Sequence, residues 1–148
     1  MSAIPIIFGT ESGNAEMVAD DIAEALTDAG HDAEVVPMED FEVADLPDHE
    51  VVVVITSTYG EGELPETTAP FHAALIEQEP DLSSVRFAAF GLGDSTYETY
   101  NNAISILQAE LTRLGAAQIG ETCRHDAASG LDLTIVATEW VDTIAGEL

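Results

Sequence analysis

Three short segments gather the residues that could do chemistry. The first is Gly9-Thr10-Glu11-Ser12-Gly13-Asn14-Ala15. Thr10, Ser12 and Asn14 can donate hydrogen bonds, and the two glycines let the main chain approach a ligand closely. A helix that starts here adds free N–H groups and a positive dipole end. Together they could hold a phosphate without a basic side chain. The same residues would also serve as an ordinary helix cap. A P-loop is excluded, because its lysine has no counterpart in a chain without lysine.

The second segment is Thr56-Ser57-Thr58-Tyr59-Gly60-Glu61-Gly62-Glu63-Leu64-Pro65, and the third is Gly91-Leu92-Gly93-Asp94-Ser95-Thr96-Tyr97-Glu98. Each sets one tyrosine among small or polar neighbours. Either tyrosine alone would pass for a surface residue with a satisfied hydroxyl. As a pair, on two loops beside one crevice, they could clamp a flat aromatic ligand. A flat ring with a phosphate tail describes flavin mononucleotide (FMN). The third segment begins like a dinucleotide fingerprint, but threonine replaces the last glycine and the segment follows a late strand, so that reading is rejected.

The elements that would position these segments alternate along the chain. Ile4 to Phe8, Val51 to Ser57 and Val85 to Leu92 are apolar runs that read as buried strands. Glu34 to Val36 and Ala117 to Ile119 are shorter ones. Helical spacing appears from Ala15 to Ala29, around Phe71 to Leu75, from Ile104 to Leu114, and from Leu133 to Ile144. Gly30 and Gly115 stand where helix ends belong, and Pro80 stops another. Residues 37–49 read as mostly irregular, and residues 122–129 as the loop after the fifth strand. The alternation predicts an α/β three-layer sandwich around a parallel sheet. No linker or repeat is visible, so residues 1–148 read as one domain. In such folds ligands sit at the carboxyl ends of the strands, where all three segments fall.

Composition narrows the partners. The chain has 29 acidic and 3 basic residues, a formal net charge of -26. The basic residues are Arg86, Arg113 and Arg124. Charge-driven binding to nucleic acid or an anionic membrane is excluded, and a basic protein surface is the complement. One cysteine, Cys123, rules out an internal disulfide. The start, Met1-Ser2-Ala3-Ile4-Pro5, has no basic segment before a long apolar one, so no secretory signal is expected. The longest aliphatic run, Val51 to Ile55, is too short to span a bilayer. A cytoplasmic monomer is the expectation. His31, His49, His72 and His125 are scattered, and no metal site is expected. Trp140 follows helical spacing and reads as core.

With these residues in view, the segments FGTESGNAEMVA, STYGEGELPE and FGLGDSTYETYNNA resemble the three flavin-binding loops of the flavodoxin family. The chain looks like a short-chain member, similar to flavodoxins of the MioC type and to the FMN domains of cytochrome P450 reductase and sulfite reductase. The resemblance implies a five-stranded parallel sheet of order 2-1-3-4-5 and FMN as cofactor. It implies that Thr10, Glu11, Ser12, Gly13, Asn14 and Ala15 wrap the phosphate. Thr58, Tyr59, Gly60, Glu61 and Gly62 would line one side of the flavin ring. Gly91, Leu92, Gly93, Asp94 and Tyr97 would line the other, with Asn101 beyond them. Relatives commonly carry a neutral residue at Glu11, so its main chain alone is expected to take part. The implied function is a low-potential, one-electron carrier between a flavodoxin reductase and an acceptor enzyme, with no catalytic residues of its own. The alternative is a stand-alone FMN-dependent reductase. A response-regulator receiver domain is excluded, since it needs an aspartate after the third strand and a lysine after the fifth.

Two electrostatic expectations follow. A carboxylate ~8 Å from the flavin, at an effective dielectric of ~20, disfavours added negative charge by about 2 kcal/mol, or roughly 90 mV for one electron. Glu61, Glu63, Glu66, Asp94 and Glu98 surround the mouth, and read either as a docking rim for basic partners or as merely solvated acids. Glu16, Asp20, Glu24 and Asp28 repeat at i,i+4 and repel along one helix. Salt would relieve that cost, as in a salt-adapted protein.

Overall fold

The computed structural model describes residues 4–9, 14–57, 68–93, 102–120, 122–126 and 132–144. The strands are β1 (Ile4–Gly9), β2 (Ala33–Pro37), β3 (Val51–Ser57), β4 (Arg86–Gly93), β5 (Ala117–Gln118) and β6 (Cys123–Asp126). The helices are α1 (Asn14–Asp28), α2 (Thr68–Gln78), α3 (Asn102–Arg113) and α4 (Leu133–Ile144). All pairings among the strands are parallel.

The apolar runs form the middle of the sheet because both of its faces are covered. Side chains alternate along each strand. Ile4, Ile6 and Phe8 of β1, Val51, Val53 and Ile55 of β3, and Ala88, Phe90 and Leu92 of β4 pack with α1 and α4. Ile7, Val52, Val54, Phe87 and Ala89 point the other way, onto α2 and α3. Trp140 of α4 is core, as expected: its ring meets Phe90 edge-on at 5.4 Å between centroids. Asp132 caps α4 by accepting from the Thr134 N–H at 2.9 Å, and Thr134 Oγ1 donates to Asp21 of α1 at 2.9 Å. Gly115 ends α3 at φ +106°, with the Ser83 main chain so close that a side chain would be crowded as well as strained.

The strand order is β2-β1-β3-β4-β5, the expected 2-1-3-4-5. The fifth position carries a correction. β5 pairs with Arg86 and Phe87 only, the chain steps out, and β6 returns to pair with Phe90 to Gly93. Residues 123–126, read from sequence as loop, are therefore strand. Cys-Arg-His-Asp shows no apolar alternation because its ladder is a main-chain property at the sheet edge. A closed ring of hydrogen bonds ties the step to α3. Gln108 Nε2 donates to Gln118 Oε1 (2.7 Å), Gln118 Nε2 to Thr122 Oγ1 (2.6 Å), and Thr122 Oγ1 to Gln108 Oε1 (2.8 Å). A second correction concerns residues 37–49. They hold two 3-10 turns, Met38–Asp40 and Val43–Asp48, whose Met38, Val43 and Leu46 are buried. Turns this short leave no 3.6-residue period to read.

Glu16, Asp20, Glu24 and Asp28 are all exposed on α1. Each neighbouring pair costs roughly 0.2–0.5 kcal/mol at low salt. The melting temperature should rise from dilute buffer to molar salt, and Asp20→Lys should raise it in dilute buffer and flatten the salt response. A wild-type melting temperature independent of salt would contradict this. Burial pushes the Cys123 thiol up to about 11. At neutral pH its alkylation should run on the order of 100-fold slower than in the unfolded chain. The rate should climb through pH 11; equal native and unfolded rates would contradict the burial.

Candidate functional site

Parallel pairing brings the carboxyl ends of β1, β3, β4 and β6 to one edge, and each is followed by a helix that starts there. Register sets Gly9, Thr56, Gly91 and Arg124 level with one another across β1, β3, β4 and β6. Ser57, Leu92 and His125 form the next row. Gly9 and Gly91 thus keep side chains off the edge on either side of Thr56.

Thr56 and Thr68 are the buried polar residues of this region, both 0% exposed, and their hydroxyls are hydrogen-bonded at 2.8 Å. A Cβ on residue 9 would overlap Thr68 Oγ1 and come within 2.7 Å of Met38 Sδ. Glycine at position 9 is therefore required by close packing between the end of β1 and the start of α2. Sequence reasoning missed the Thr56–Thr68 pair. Its one signal is a threonine next to the end of a buried strand that is otherwise mostly aliphatic.

Asn14 opens α1 beyond the end of β1, and Ala15 is wholly buried in the core beneath it. Ala15 can therefore offer a ligand only its main chain. The N–H groups of this first turn have no partner within the helix, and the dipole is positive at that end. The acidic residue of the turn, Glu16, is exposed. Leu92 sends its side chain into the α1/α4 core, so its contribution at the edge, like that of Gly91 and Gly93, is main chain. The structure brings Asn14, Ala15, Gly91, Leu92 and Gly93 to this one edge. Thr10, Glu11, Ser12, Gly13, Thr58, Tyr59, Gly60, Glu61, Gly62, Asp94, Tyr97 and Asn101 lie outside the described residues, as do Glu63, Glu66 and Glu98.

The arginines are placed away from the β1–α1 junction. Arg86 opens β4 and Arg113 closes α3, both at the opposite edge of the sheet. Arg113 is paired there with Glu79 at 3.1 Å and Glu110 at 2.9 Å. Arg124 lies on β6, three strand spacings from β1, about 14 Å of main chain. An anion at the start of α1 would be met by the main-chain N–H groups of its first turn. A phosphate suits that donor set, and a flat ring suits an edge where β1 and β4 end in glycines. The residues present fit FMN. Among the described residues, no helix is long and apolar enough to cross a membrane.

Comparison with known proteins agrees. The flavodoxin family model matches residues 6–140. Protein MioC of Escherichia coli K12 is 45% identical over 126 residues, covering 84% of this chain and 83% of that protein. The NADPH sulfite reductase flavoprotein alpha-component of Thiocapsa roseopersicina is 38% identical over 117 residues, 78% of this chain but 22% of that protein. The crystal structure of oxidised flavodoxin 2 from Bacillus cereus superposes with a TM-score of 0.89 at 27% identity, covering 99% of this chain and 100% of that one. A glycine-flanked carboxyl edge, the 2-1-3-4-5 sheet and a family match across nearly the whole chain lead to one conclusion: the protein belongs to the flavodoxin family, whose members bind FMN and carry electrons.

Proposed function

We propose that this chain holds FMN at the carboxyl edge of its sheet and passes single electrons at low potential between a reductase and an acceptor enzyme. The observation that carries the reading is the level row Gly9, Thr56, Gly91 beside the start of α1. In this reading Thr10, Ser12 and Asn14 donate to the phosphate through side chains, and Glu11, Gly13 and Ala15 through the main chain. Tyr59 and Tyr97 enclose the ring, with Thr58, Gly60, Glu61 and Gly62 on one side and Gly91, Leu92, Gly93 and Asp94 on the other. Asn101 closes the far end. Bound FMN supplies a ring that exchanges electrons one at a time; the protein sets the energies. The chain's carboxylates do so by disfavouring added negative charge, which lowers the potential.

Residues 1–148 act as one domain, a cytoplasmic monomer without substrate turnover of its own. The excess of acid recruits basic redox partners through Glu61, Glu63, Glu66, Asp94 and Glu98, and the exposed acidic stripe of α1 marks a salt-adapted protein. The match to the sulfite reductase component supports exchange with a reductase, since a protein of that name carries a similar segment within a longer chain.

The purified protein should be yellow, release one FMN per chain on denaturation, and take up two electrons in separate steps during anaerobic titration. It should not oxidise NAD(P)H rapidly unless a reductase is added. A colourless protein that refuses FMN would overturn the reading, and rapid unaided NAD(P)H oxidation would favour a stand-alone reductase.

A further inference from the structure

Thr56 is the last residue but one of β3 and Thr68 begins α2, so their hydroxyl bond spans the segment that carries Thr58, Tyr59 and Gly60. Thr68 Oγ1 also occupies the space that a Cβ on Gly9 would need, and Met38 Sδ would lie 2.7 Å from that Cβ. Gly9 is the residue from which the phosphate segment departs. One buried oxygen therefore touches the base of both segments. We propose that Thr68 is a positioning residue: its hydroxyl fixes the spacing between the segment that holds the phosphate and the segment that holds the ring. This inference rests on the FMN reading above.

The chemistry of the atom explains why a hydroxyl is needed. A hydrogen bond holds the two oxygens at 2.8 Å in a defined direction. A methyl in the same place settles at ~3.5–4.0 Å from its neighbours. Valine at 68 would move the start of α2 from β3 by on the order of 1 Å and press a larger atom on Gly9. Both segments would shift at their roots while the core below stays packed. A ligand that spans them registers a shift of that size, and a ligand that contacts one of them does not.

The test compares wild type, Thr68→Val and Thr68→Ser by titration of the apoprotein with FMN and, separately, with riboflavin, well below the melting temperature of each. Visible circular dichroism of the bound flavin is recorded alongside. Thr68→Val should weaken FMN about tenfold, weaken riboflavin much less, and alter the dichroism. Thr68→Ser, which keeps the hydroxyl, should bind within about twofold of wild type with an unchanged spectrum. The proposal is overturned if Thr68→Val matches wild type, if it loses FMN and riboflavin by the same factor, or if Thr68→Ser behaves like Thr68→Val. Should Thr68→Val not fold, Thr56→Val breaks the same bond from its other end and must give the same pattern. If neither folds, the bond serves stability alone and the proposal fails. A wild type that binds no FMN overturns the site reading itself, and the same titration shows it.

Discussion

A phosphate seat at the start of α1, as proposed, must attract an anion without using charge. Of the 32 charged residues only three are basic, and two of those stand at the wrong edge of the sheet. What remains is the set of oriented dipoles at the start of α1. Such dipoles act only when they are fixed in place and aimed at one point. The rest of the fold follows from that need. Parallel strands deliver every carboxyl end to one edge, and parallel pairing calls for a covered sheet on both faces. That is why β3 is aliphatic without alternation, and why two separate cores, one under α1 and α4 and one under α2 and α3, hold it.

The same acids have three consequences at different ranges. Along α1 they repel one another and weaken the fold in dilute buffer. In the proposed site, acids near the flavin would disfavour added electrons, which suits the low-potential carrier proposed. Farther out they form a negative field, which the proposed function uses to recruit basic partners and which disfavours nucleic acid. Salt screens the first and third strongly and the second less, because charges shielded by protein are screened less than exposed ones.

The sequence exposed those features that depend on local pattern. β1, β3 and β4 are continuous apolar runs, α1 and α3 have clear helical periods, and Gly30 and Gly115 mark their stops. It hid those features that depend on contacts distant along the chain. β6 is Cys123 followed by three polar residues, and its strand character is its pairing with β4. The 3-10 turns of residues 38–48 bury three side chains without a readable period. Thr56 and Thr68 are twelve residues apart and belong to no motif, yet they meet at the centre of the site edge. The three glycine-rich segments were legible as a set because each follows a strand that the pattern located. Their glycines do not explain themselves. Position 9 reads as a turn residue in sequence, and its packing against Thr68 and Met38 appears only in three dimensions.

The claim that neutral dipoles hold the phosphate has a direct test in the salt dependence of FMN affinity. Titration of the apoprotein at increasing sodium chloride should show tighter binding as salt rises, since the ions screen repulsion between an acidic chain and an anionic ligand. Affinity that falls steadily with salt would mean that a cation holds the phosphate, and would contradict the account.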